Sequence, residues 1–272
     1  MKRRNFVKLA GALSVVSATG MASTLKETGI NSEVSKSFES SRTSAAKEIY
    51  EWRIYTLNSD GTMLDSFLEN TLIPAYNRKK IKVGAFKLFK PKDGEKEQRH
   101  ILFIYPDITT YLTVKKTIWD DKEFREKAQP FYDTTAPNPV YSNIESYLSE
   151  AFDKIPVHRN PDPSRTLLEI RIYRSPNEEA NQRKVTMFNK DEIDLFDKVD
   201  VNSVLYGDII AGPHLPALLY LTWYKDEKAR SEAWDKFGKH PDWDRMKVLP
   251  EYANTATKNT STLLSPMPYS QL

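Results

Sequence analysis

The 272-residue sequence contains no cysteine. Disulfides, thiolate metal sites, cysteine nucleophiles and lipid attachment through an N-terminal cysteine are excluded together. Histidine is nearly as scarce. His100, His158, His214 and His240 stand far apart, with no i to i+4 or close-pair spacing, so no metal site is expected. Phosphate loop, nucleophile elbow and zinc motif are also missing, which leaves the catalytic residues unknown and no cofactor expected. No apolar run approaches the ~20 residues that a spanning helix needs, so no membrane span is expected once a signal segment is removed.

The formal net charge of +3 does not belong to the body of the chain. Lys2, Arg3, Arg4 and Lys8 lie in the first 22 residues, which carry no acid, and removing them leaves 36 basic against 37 acidic side chains. A nucleic-acid partner is therefore not expected: the densest basic run, Arg78-Lys79-Lys80 with Lys82, reads as the solvated end of a helix. The leader is a charged region, then a mildly apolar stretch from Leu9 to Ala18, then small residues through Ala22, the order of an export signal. Arg3, Arg4, Phe6 and Lys8 resemble the twin-arginine signal, which predicts residues 1–22 as a signal peptide, the twin-arginine export machinery as a partner, and a periplasmic or extracellular address. Residues 23–46 are rich in Ser, Thr, Glu and Lys and read as a disordered tether.

The body of the chain, beyond the tether, is duplicated. Tyr50-Glu-Trp-Arg-Ile-Tyr55 returns 118 positions later as Leu168-Glu-Ile-Arg-Ile-Tyr173. Each alternates apolar and polar side chains with the period of a strand. The first unit, 47–152, reads as strand, helix, strand, strand, helix, strand; Pro74 should bend or end its first helix. Residues 153–165, with Pro156, Pro161 and Pro163, form a stiffened linker, and 166–272 repeats the order. His100–Tyr105 and Leu218–Trp223 also pair at an offset of 118. The fold class expected is α+β, two tandem ferredoxin-like βαββαβ units.

At Leu168-Glu-Ile-Arg-Ile-Tyr-Arg, Lys184-Val-Thr-Met-Phe-Asn, Glu192-Ile-Asp-Leu-Phe, Trp234-Asp-Lys-Phe, His240-Pro-Asp-Trp243 and Pro266-Met-Pro-Tyr-Ser-Gln-Leu, the second unit resembles a NIPSNAP domain. The first resembles the divergent N-terminal partner of tandem NIPSNAP-family bacterial proteins, through Glu51-x-Arg53-x-Tyr55, Leu72-Ile-Pro-Ala-Tyr76 and Val83-Gly-Ala-Phe86. The resemblance implies that the two units pack as an intramolecular dimeric α/β barrel. It implies no established reaction and no motif to carry over.

With two sheets face to face, Leu168, Ile170 and Ile172 suit helix packing. Glu51, Arg53, Tyr55, Glu169, Arg171 and Tyr173 are then left for the interior between the units. Buried charge must be paired, so these residues serve either as ion pairs that dock the units or as contacts to a ligand. His214, in Gly212-Pro-His-Leu-Pro216, sits on a rigid loop where it could guard the barrel mouth. The function expected is small-molecule binding in the barrel. A cofactor-independent monooxygenase or isomerase, by fold analogy, and a protein-interaction scaffold are the alternatives, with homo-oligomerisation left open.

Overall fold

The computed structural model describes residues 46–272; the leader and all but the last residue of the tether lie outside the described residues. In the first half, β1 (Ile49–Leu57) is followed by α1 (Thr62–Phe67), a π-helical turn (Leu68–Leu72) and α2 (Ile73–Arg78). Then come β2 (Lys82–Leu88), β3 (Gln98–Tyr105), α3 (Ile108–Thr117), α4 (Lys122–Thr135) and β4 (Tyr141–Ala151). The second half holds β5 (Leu167–Arg174), α5 (Glu178–Met187), a second π turn (Phe188–Glu192) and α6 (Ile193–Lys198). It continues with β6 (Asn202–Ala211), β7 (Ala217–Tyr224), α7 (Glu227–Gly238), α8 (Pro241–Met246) and β8 (Lys258–Pro266).

The helices begin where side chains satisfy free N–H groups. Asp107, Asp121, Asn177 and Asp226 each accept from the amide three residues on, and His240 Nδ1 accepts from Asp242 N. Gly61 precedes α1 at φ 87°, and a Cβ there would lie 2.5 Å from the Arg99 guanidinium, so any side chain would be strained and would displace Arg99. Pro74 does not end the helical run: it sits in the first turn of α2, directly after the π turn. The π turn before it recurs at Phe188–Glu192, where no proline follows, so proline is not its cause.

All eight strands pair antiparallel in one closed barrel, β1-β3-β2-β8-β5-β7-β6-β4. Two seams join the halves, β2 with β8 and β4 with β6, so backbone hydrogen bonds hold them together. Register corrects one spacing. Glu51 faces Phe103 while Glu169 faces Thr222, so β3 and β7 correspond at 119 rather than 118. That single residue matters because a one-residue slip exchanges the faces of a strand.

Three buried clusters result from the closure. One fills the space between the first half's strands and helices, and another does the same for the second half. The third is the barrel interior, where Tyr50, Trp52, Phe86, Leu102, Leu168, Ile170, Leu219 and Leu221 come together from both halves.

Candidate functional site

The barrel interior is core, and the polar sides of β1 and β5 do not face it. Tyr50, Trp52 and Ile54, with Leu168, Ile170 and Ile172, point inward, whereas Tyr55 and Tyr173 belong to the clusters under the helices. The expected orientation of Glu51, Arg53, Tyr55, Glu169, Arg171 and Tyr173 is therefore reversed. The physical reason is pairing. An eight-stranded barrel is just wide enough for side chains to fill it, and no helix reaches inside to neutralise a charge. On the outer face, helices supply the partners.

Glu169 is the best supplied. It accepts from Arg171 Nη1 at 2.7 Å, from Arg230 Nε and Nη2 at 2.7 and 2.8 Å, from Trp234 Nε1 at 3.0 Å, and from Ser261 Oγ. Burial alone would raise its pKa, but the bonds from Arg230 and Ser261 and the charges of Arg171 and Arg230 outweigh it and hold the carboxyl at about 2. Arg171 also stacks 4.6 Å from the Trp234 ring and donates from Nε to Tyr173 Oη, which bonds Tyr220 Oη at 2.9 Å. Glu51 has a looser shell: Arg53 Nε and Nη2 at 2.8 and 2.9 Å, Tyr105 Oη at 3.0 Å, Ser146 Oγ at 3.4 Å and Lys115 Nζ at 3.5 Å. Arg53 lies 4.4 Å over the Phe103 ring, and Tyr55 meets Tyr141 edge-on at 5.3 Å. Every one of these partners belongs to the same half as its carboxylate. The pairs fix helices to sheets; they dock neither half against the other.

The halves differ at one more buried point. Lys184 Nζ donates to Glu192 Oε2 at 2.8 Å, both side chains being less than a tenth exposed, and the π turn brings them together. With the two π turns superposed, Leu64 and Leu72 occupy the corresponding positions of the first half. His214 is exposed on the β6–β7 loop at φ 65°. It joins none of the other predicted site residues.

The open space lies elsewhere. A groove of about 1080 Å³ runs between α1 and α4 on the first half. Phe67 and Phe131, stacked at 4.1 Å, form its floor with Val140; Met63, 43% exposed, stands at its side; Asp60 and Lys127 supply charge. Sequence reasoning missed it. Phe67 and Phe131 carry no sequence mark of the open space beside them, which Pro130, Pro137 and Pro139 also line. Among the described residues no group of His, Asp or Glu could hold a metal, and no helix is long and apolar enough to cross a membrane.

The helix-facing Glu-Ile-Arg-Ile-Tyr strand opens a match that runs through the end of β8. Residues 168–271 match the NIPSNAP family model. A NIPSNAP family protein from Agrobacterium tumefaciens is 20% identical, over 39% of this chain and 98% of its own, with a TM-score of 0.36. Two candidate monooxygenases span both the NIPSNAP-matching half and the half before it. One, from Fusobacterium nucleatum, covers 81% of this chain and 93% of its own at 8% identity and a TM-score of 0.52. The other, from Lactobacillus acidophilus, covers 81% and 94% at 11% identity and the same TM-score. The two likenesses at a TM-score of 0.52 show the mixed α/β barrel fold and no reaction. Among curated proteins, none matches the chain.

Proposed function

We propose that this NIPSNAP-containing chain is two fused ferredoxin-like units whose work is to bind an apolar small molecule, held in the groove between α1 and α4. The groove itself carries the reading: about 1080 Å³ of open space over a stacked aromatic floor, in a fold whose barrel interior is packed with side chains. Binding sites for small molecules are mostly apolar clefts with a few polar groups for orientation, and Asn58, Asp60, Asn70 and Lys127 would serve that role. A binder is favoured over an enzyme. Asp60 and Lys127 are the titratable groups lining the groove, and the bonds Asp60 accepts from Thr62 lower its pKa, away from the neutral range that a general base requires.

The test is to fill the groove. Wild-type protein is expected to bind a fluorescent apolar probe such as anilinonaphthalene sulfonate saturably, and to retain a small molecule in native mass spectrometry. Ser66→Trp, at an exposed lining position, is expected to weaken probe binding at least tenfold while leaving the Tm within a few degrees. Equal binding by the variant, or no saturable binding by the wild type, ends the proposal.

An address outside the cytoplasm belongs to the same proposal, supported by the order of charged, apolar and small residues in the leader. Changing Arg3 and Arg4 together to Lys is expected to trap the protein inside. Undiminished export of that variant in fractionated cells would count against a twin-arginine route.

A further inference from the structure

We propose that the molecule held between α1 and α4 is an apolar amine, with its hydrocarbon body over the aromatic floor and its ammonium group at Asp60. This deepens the binding role given to the groove and rests on it. Every residue the argument places at the ligand lines that one cavity of about 1080 Å³.

The polar groups along the groove have mostly spent their donors. Asn58 Nδ2 donates to the Pro139 carbonyl and Asn70 Nδ2 to the Ser66 carbonyl, both at 3.0 Å, and Thr134 Oγ1 donates to the Pro130 carbonyl at 2.8 Å. A carbonyl can only accept, so these bonds orient each amide with its NH₂ engaged and its Oδ1 left over. Asp60 accepts from Thr62 alone, N to Oδ1 at 3.0 Å, which leaves most of a carboxylate's acceptor capacity open. A ligand that meets these groups must donate to them.

Charge points the same way. Lys127 is already neutralised, because its Nζ donates to Glu123 Oε1 at 2.8 Å one turn back on α4. Asp60 has no such partner. The cation that acts on its carboxylate is Arg99, and Arg99 is committed elsewhere: Nε and Nη2 go to Asp65 at 2.8 and 2.9 Å, Nη1 goes to Glu97 at 3.1 Å, and only the backbone carbonyl of Asp60 is reached, by Nη2 at 3.2 Å. The carboxylates of Asp60, Asp65 and Glu97 thus share one guanidinium, and Asp60 is the exposed one among them. An ammonium group would supply both the missing charge and the missing donors, and such charge-assisted bonds are the strong ones. The stacked rings of Phe67 and Phe131 fit the same ligand, since aromatic rings attract cations as well as hydrocarbon. A carboxylate or phosphate group would meet acceptors and like charge instead.

Naphthylmethylamine, naphthylmethanol and naphthoate carry one ring system with an ammonium, a hydroxyl and a carboxylate group, and each is titrated calorimetrically into the full chain at neutral pH and low salt. The amine is expected to bind at least tenfold more tightly than either of the others, with added salt narrowing the gap. Asp60→Asn keeps an acceptor for Thr62 N, so it is expected to hold the Tm within a few degrees while bringing the amine down to the affinity of the alcohol. An amine bound no more tightly than the alcohol, a carboxylate bound more tightly than the amine, or an amine preference that survives in Asp60→Asn overturns the assignment. Anilinonaphthalene sulfonate separates this failure from that of the groove. Where the probe still binds saturably, only the amine falls; where it does not bind, the groove falls with it.

Discussion

Glu169→Gln is expected to lower the melting temperature by about 10 °C, the largest effect of any single side chain in the second half. The carboxylate is fully buried and takes five hydrogen bonds from Arg171, Arg230, Trp234 and Ser261. Glutamine keeps the shape and some of the bonds but leaves two guanidinium groups without a counter-charge. Breaking a buried pair in this way costs ~3–5 kcal/mol, and at ~2–4 °C per kcal/mol for a body of this size the melting point falls by about the amount stated. Arg171→Met should act in the same direction without altering probe binding in the groove, because Arg171 touches only its own half. Glu51→Gln should cost less, since its second cation, Lys115, is 42% exposed and 3.5 Å away.

Acid gives an independent reading of the same carboxylate. Its pKa is near 4.5 unfolded and about 2 folded, so its contribution is fully present above 4.5 and is lost as pH falls from 4.5 towards 2. The loss is ~3 kcal/mol. A Glu169→Gln variant that melts within 2 °C of wild type at pH 7 would show that the shell is ornamental.

Much of this architecture was legible because duplication is written in the strands. The hexapeptides at 50–55 and 168–173 located both starting strands, and strand periodicity located their neighbours, because alternation survives wherever one face is buried. What alternation cannot say is which face looks inward when both are buried. Leu168, Ile170 and Ile172 suit a lumen as well as a helix layer, and the choice was made by residues far away in sequence. Arg230 and Trp234 on α7 reach Glu169 from outside, and Lys115 on α3 reaches Glu51. The groove was hidden for the opposite reason. It depends on space left between α1 and α4, and a gap has no sequence signature when its floor, Phe67 and Phe131, reads as ordinary core. His100 fell between the two: scattered histidines excluded a metal, yet the face that β3 presents to the lumen could not be assigned until the 119-residue register was known.

Placing an imidazole in that lumen leads to the second large effect, a loss of stability in mild acid. His100 is 1% exposed among the residues of the barrel interior; its Nδ1 accepts from Trp52 Nε1 at 3.2 Å and its Nε2 lies 2.9 Å from Gln98 Oε1. That pattern suits the neutral ring, with the proton on Nε2. Burial carries its pKa from 6.5 down to about 3. The sign depends on which state takes the proton. Above 6.5 both states are neutral and the group costs nothing; as pH falls from 6.5 to 3 the unfolded chain is protonated while the fold is not, so stability drops. The slope is ~1.4 kcal/mol per pH unit and the full loss ~5 kcal/mol. Glu169 contributes only below 4.5, so urea unfolding at pH 7.5, 6.0 and 5.0 isolates the histidine. His100→Gln can accept from Trp52 and donate to Gln98, so it should begin ~1–2 kcal/mol less stable at pH 7.5 and then lose less on acidification, by close to one proton's slope. Parallel pH profiles for wild type and variant would mean that the imidazole escapes the lumen or takes its proton there, and the packed interior that moves the binding site out of the barrel would have to give way at this point.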